Sequence, residues 1–193
     1  MNFKNYLIAS INNLQSINNK EFTEIFDTAA SLMLDTLIQN KSILVCGNGG
    51  SHSDAQHFAG ELVNYFTKEH KALKVIALGT NSAVTSAWSN DHSFEEQFAR
   101  EVEAYGEPGS LLFGITTSGK SKNVNLAFAK AHSMGMKTIA LTSYKAIENL
   151  SKDINLIIPV SATETHKIQE CHIVIYHALS IFIENSLPEK YFD

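Results

Sequence analysis

The chain has 193 residues, 44% of them hydrophobic and 18% charged, with three prolines and a formal net charge of -5 at pH 7. That length and composition describe one folded domain with a full core, and they exclude a disordered chain or a disulfide scaffold. The acidic balance, with an isoelectric point near 5.9, argues against broad nucleic-acid binding, so any anion site has to be local.

Residues 3–16 and 21–39 carry apolar side chains at helical spacing, the second through Phe22, Ile25, Phe26, Ala29, Leu32, Met33 and Leu37, and predict a pair of amphipathic helices. The first of these has no continuous apolar core, which speaks against a secretory signal. Residues 42–46, with Ile43, Leu44, Val45 and Cys46, suit a strand buried on both faces. Gly47, Gly49 and Gly50 then allow a tight turn close to a ligand. Ser51 or Ser53 is expected to cap a helix over 53–66, whose first N–H groups would face an anion. His57 and Glu61 fall on one face of that helix, about 40° apart around its axis. By itself such a pair is most often a surface ion pair. The turn fits neither G-x-G-x-x-G nor the P-loop pattern, so its spacing supports only a generic phosphate loop.

Further strands are expected at 73–78, 110–116, 137–142 and 154–158. Helices are expected at 82–89, 93–104, 122–134, 146–150 and, closing the chain, 164–185. The alternation implies right-handed crossovers and a five-stranded parallel sheet covered on both faces, a doubly wound, flavodoxin-like α/β sandwich with an N-terminal helical pair. Ligands bind such sheets beyond the carboxyl ends of the strands, at the switch point of strand order. The loops after the first and third strands are therefore the candidates: Gly47 to Ser51, and Thr116-Thr117-Ser118-Gly119-Lys120-Ser121, rich in hydroxyls and opening onto a helix.

Cys46 and Cys171 form no C-x-x-C motif, which predicts two reduced thiols in a cytoplasmic protein. The longest apolar stretch, residues 173–183, is interrupted by His177 and Ser180 and is too short to span a bilayer. In isolation His177 would be a core histidine bonded to a carbonyl. His52, His92, His132 and His172 are expected to be structural or surface residues, and Trp88 a packing residue.

Taken together, CGNGGS with DAQHFAGEL, SND at 89–91, TTSGKS at 116–121 and KIQECHIVIYH at 167–177 resemble the phosphoheptose isomerases of the sugar-isomerase (SIS) fold, over nearly the whole chain. The resemblance implies that Thr116, Thr117, Ser118 and Ser121 hold a sugar phosphate. It implies that Asn48, Gly49, Gly50, Ser51, Asn90, Asp91, Glu61 and Gln169 line the substrate, a phosphorylated seven-carbon sugar. It further implies a zinc site of His57, Glu61, Gln169 and His177, with Glu61 and His177 as acid and base. Aldose-ketose isomerisation through an enediol needs such a pair, and Glu61 as base with His177 as acid meets it. Gln169 and His177, eight residues apart, lie within about 80° on the closing helix. A glutamine is an unusual zinc ligand, and the metal could be catalytic or structural.

The family further implies a homotetramer, with residues 1–40 of a single 1–193 domain used in assembly, and a role at the entry to lipopolysaccharide or capsule heptose synthesis. Three positions depart from the family pattern: Tyr65 where arginine is common, and Asn81 and His166 where aspartate is common. They keep open an SIS isomerase for another phosphosugar. A catalytically silent SIS protein that binds a replication initiator is the alternative of a different class, and the presence of both Glu61 and His177 counts against it.

Overall fold

The structure is a computed structural model that describes residues 2–192; Met1 and Asp193, the ends of the expected 1–193 domain, lie outside the described residues. Five parallel strands, β1 (Ile43–Gly47), β2 (Val75–Ala77), β3 (Leu111–Ile115), β4 (Lys137–Ser143) and β5 (Leu156–Val160), form one sheet in the order β2-β1-β3-β4-β5. That order confirms the flavodoxin-like sandwich and puts the switch point between β1 and β3.

Side chains alternate across each strand, and the alternation sorts the core into two halves. Ile43, Val45, Leu111, Phe113, Ile139 and Leu141 face α2 (Lys20–Ile38), α3 (Gly50–Val63) and α7 (Thr165–Ser186). Leu44, Cys46, Leu112 and Ala140 face α5 (Gln97–Tyr105) and α6 (Lys122–Ser133). Gly114 of β3 has no side chain because a Cβ there would stand 2.3 Å from Cζ of Phe128. The buried thiols are inert: burial, reinforced by Glu101, pushes Cys46 up to about 12, and burial pushes Cys171 up to about 11.

The helix α1 (Phe3–Ser16) buries none of its residues in this chain and leaves Phe3, Leu7, Ile8 and Ile11 exposed. It is held to α7 by polar contacts. Lys167, buried on α7, donates to the Tyr6 carbonyl, Ser10 Oγ and both oxygens of Glu170, and the Tyr6 hydroxyl donates to Glu170. These partners offset the desolvation of a buried ammonium.

Several expected boundaries move, each for a local reason. Strand β2 shrinks to three residues because the Leu73 N–H bonds the Leu62 carbonyl and the Val75 N–H bonds that of Leu73, not a neighbouring strand. β5 starts two residues late: the Asn155 carboxamide oxygen takes the Thr138 N–H, although the Asn155 N–H still bonds the Thr138 carbonyl at 3.1 Å. β5 is the edge strand beyond β4, which is where Pro159 is tolerated. The helix expected over 93–104 splits into a 3-10 turn, Phe94–Glu96, capped by Ser93 Oγ, and then α5. The segment expected as a helix over 146–150 is a 3-10 stretch, Tyr144–Asn149. α4 (Ser82–Asp91) starts at its predicted residue.

Candidate active site

The register Gly47↔Ile115 starts the two ligand loops side by side at the carboxyl ends of β1 and β3. Asn48 and Asn123 tie them together through reciprocal carboxamide bonds of 2.8 and 2.9 Å. The expected serine cap on α3 is wrong. The helix starts at Gly50, its cap is Gly49 with φ +57, and neither Ser51 nor Ser53 makes a capping bond. The backbone closes the turn itself, because the N–H groups of Ser51, His52 and Ser53 bond back to the Asn48 and Gly49 carbonyls at 3.0–3.2 Å. Those N–H groups are therefore spent, and the Gly loop is a poorer anion cradle than its composition suggests.

The second loop is held from behind. Gly119, at φ +67, lies so close to the 3-10 segment that a Cβ would stand 2.3 Å from the Ala146 carbonyl oxygen. The Asn125 carboxamide donates to the carbonyls of Gly119 and Asn149, and that of Asn149 donates to the Ser118 carbonyl. The Thr116 and Ser118 hydroxyls accept the N–H groups of Gly119 and Lys120. Ser121 sits at the N-terminus of α6 without a side-chain capping bond. Hydroxyls at a helix N-terminus, in a loop fixed by three asparagines, suit a phosphate group.

The third feature lies between α3 and α7. His57, Glu61 and His177 each present one ligand atom, and all three atoms lie within 4.8 Å of one another. His57 Nε2 is 2.7 Å from Glu61 Oε1, and the rings of His57 and His177 stand 5.0 Å apart. His177 Nε2 is buried without a hydrogen-bond partner. Burial, with His57 nearby, lowers the pKa of His177 against the opposing pull of Glu61, so its imidazole is held neutral.

Tyr176 and Asp54 support this triad, and nothing in their spacing revealed it. The Tyr176 hydroxyl is 3.0 Å from His57 Nδ1 and donates over 3.4 Å to Asp54 Oδ1. Burial, with Asp54, raises the Tyr176 pKa and keeps the phenol protonated. Burial also raises that of Asp54, against the hydrogen bond from Tyr176. With that phenol proton directed at Asp54, its oxygen accepts Nδ1–H of His57. Nε2 then faces Glu61 as a bare nitrogen, and a proton or a metal ion between them reconciles the two.

Two imidazoles and a carboxylate fit a zinc ion with one position left open, and the buried, unpartnered Nε2 of His177 fits the same purpose. Gln169 stands on α7, eight residues before His177. Its carboxamide packs where a Cβ on Gly50 would stand 2.3 Å from Nε2, seven residues or about 10 Å of helix before His57. It therefore sits beside the Asn48–Ser51 loop. Asn90 and Asp91 end α4 on the surface, bonded to each other. Trp88 packs, as expected: His92 stacks on it at 3.8 Å and Arg100 covers it at 4.7 Å.

Comparison with known proteins bears on this arrangement. The SIS domain family model matches residues 5–143. A phosphoheptose isomerase of Helicobacter pylori (strain P12) is 44% identical over 169 residues, 86% of each chain. The chain belongs to the phosphoheptose isomerase family. Among solved structures, the phosphoheptose isomerase of Neisseria gonorrhoeae superposes with a TM-score of 0.86 at 36% identity, covering 94% of this chain and 96% of that one. That of Francisella tularensis gives 0.87 at 34% identity, with 95% and 96% covered. The likeness to these isomerases spans both ligand loops, α3 and α7.

Proposed function

We propose that this chain interconverts D-sedoheptulose 7-phosphate and D-glycero-D-manno-heptose 7-phosphate, the step that opens bacterial heptose synthesis for lipopolysaccharide or capsule. The observation that carries this reading is the meeting of His57, Glu61 and His177 within 4.8 Å, because a carboxylate beside a neutral imidazole is the pair an enediol mechanism requires. A silent binding protein would have no use for it.

Glu61 takes a proton from C1 of the open-chain ketose, and the C–H electrons form the C1–C2 double bond. His177, neutral, gives its N–H proton to the C2 carbonyl oxygen, which completes the enediol. The O1 hydroxyl then returns a proton to His177 as the C1 carbonyl forms, and Glu61 delivers its proton to C2. Acid and base end as they began, and no redox partner is needed. Zinc held by His57, Glu61 and His177 would supply Lewis-acid polarisation of the carbonyl. Thr116, Thr117, Ser118 and Ser121 bind the phosphate, while Asn48, Gly49, Gly50, Ser51, Asn90, Asp91 and Gln169 line the sugar chain.

The protein works as a cytoplasmic homotetramer. The exposed apolar residues of α1 support assembly through the N-terminal helices, and among the described residues no helix is long and apolar enough to cross a membrane. A coupled assay for heptose 7-phosphate tests the activity, run with zinc present and on protein whose mass in solution has been measured. Absence of turnover by a zinc-loaded tetramer overturns the reading.

A further inference from the structure

Glu184 lies on α7, seven residues or two turns beyond His177, and its side chain is wholly buried. A buried carboxylate is costly unless every oxygen is served, and this one is. It accepts the main-chain N–H of Phe66, the N–H of Thr67 at 2.9 Å and the Thr67 hydroxyl at 2.7 Å. His70 Nε2 stands 3.3 Å away, close enough for charge attraction though outside hydrogen-bonding geometry, while its Nδ1 is 2.8 Å from the Lys71 carbonyl oxygen. All these partners come from the irregular segment of residues 64–74 that joins α3 to β2, most of whose other residues are exposed.

The segment adds Leu73 to the core, and its Phe66 reaches His177. Three rings surround its imidazole: Tyr176 at 4.9 Å, His57 at 5.0 Å and Phe66 at 5.1 Å. Tyr176 and His57 are placed by the helices that carry them. Phe66 alone stands on irregular backbone, and the groups that hold its backbone are the oxygens of Glu184. The carboxylate and His177 share one helix, so the clamp fixes Phe66 directly relative to the imidazole it covers.

We propose that Glu184 is a positioning residue for the acid–base triad, holding the 64–74 segment so that Phe66 closes one side of His177 to water. This rests on the isomerase reading for its kinetic consequence, though not for its structural one. The proposal gives Glu184→Gln and Phe66→Leu the same consequence, because the first loosens the backbone that places the Phe66 ring over His177 and the second removes that ring.

The test uses the full chain in wild type, Glu184→Gln, Phe66→Leu and the double variant. Two readouts are taken: steady-state kinetics on the zinc-loaded chain, and, on the same chain stripped of zinc, the rate at which diethyl pyrocarbonate modifies His177, followed by mass spectrometry. Each single variant is expected to lose about tenfold in kcat with KM within twofold, and to raise the His177 modification rate several-fold. The double variant should be no worse than the poorer single one. Wild-type kcat and wild-type His177 reactivity in either single variant, or losses that multiply in the double, overturn the proposal. Phe66→Leu leaves every hydrogen bond to Glu184 in place, so the question stays answerable if Glu184→Gln folds poorly. If the wild type has no turnover but both variants expose His177, the isomerase reading fails and the positioning role stands.

Discussion

His172 makes the stability of this protein sensitive to mild acid. It is fully buried on α7, its Nε2 is 3.4 Å from the Thr142 carbonyl oxygen, and its Nδ1 has no partner. Burial pulls its pKa down from 6.5 to about 4, the Thr142 contact opposing only in part. The sign follows from linkage: the unfolded chain binds this proton below about pH 6.5 and the folded chain only near pH 4, so the folded state loses stability as pH falls across that window. A shift of that size is worth about 2 kcal/mol at pH 5 and about 3 kcal/mol below pH 4, at 1.36 kcal/mol per unit. His172→Leu has nothing to protonate. At pH 8 it should cost about 1 kcal/mol for the carbonyl left unpaired, and at pH 5 it should be the more stable protein by about 1 kcal/mol. Urea unfolding of both proteins at pH 8, 6.5 and 5 gives the difference directly, and other titrating groups cancel in it. If the two stability curves run parallel from pH 8 to 5, His172 is protonated in the fold and the reasoning fails.

Glu61→Gln should abolish solvent exchange of the C2 proton while the protein still binds inorganic phosphate; retained exchange, measured by NMR in deuterated water, would remove Glu61 as the base. Tyr176→Phe takes away the oxygen that accepts Nδ1–H of His57, and competition with a chromophoric chelator should show zinc held about 10–100-fold more weakly. Unchanged zinc affinity would mean that the tyrosine does not orient the ligand. Gly119→Ala forces a Cβ against the Ala146 carbonyl at a backbone angle that disfavours it, so KM for the phosphosugar should rise at least tenfold with far-UV circular dichroism unchanged. A wild-type KM would separate the Thr116–Ser121 loop from phosphate binding.

What the sequence disclosed and what it hid divide along one physical line. Strand–helix alternation and short continuous apolar runs are local patterns, and they led to a parallel sheet and to a switch point between β1 and β3, both present. The cap on α3 was misjudged because Ser51 and Ser53 are good caps by residue type, whereas a left-handed Gly49 already lets the backbone satisfy itself. Asp54, Phe66, Tyr176 and Glu184 were missed because their partners lie 117 to 122 residues away in the chain, or on another element altogether. The one available hint was that Tyr176 directly precedes His177 inside an otherwise aliphatic run. His57 and Glu61 could be paired from spacing alone, but only α7 lying along α3 turns a surface ion pair into part of a triad.

The three departures from the family pattern can now be weighed by position. Asn81 caps α4, its Oδ1 accepting the N–H groups of Ala83 and Val84, a task that asparagine and aspartate perform equally well. His166 stacks on Tyr6 at 5.8 Å, within the cluster of Tyr6, Ser10, Lys167 and Glu170 that pins α1 to α7, so its chemistry is spent on joining helices. Tyr65 differs from both. It is exposed, and it precedes Phe66 on the segment that Glu184 holds, so a neutral ring stands where the family resemblance implies a long cation. Asn81 and His166 are each engaged by partners outside the triad. A change in sugar preference carried by these departures would therefore have to come through Tyr65.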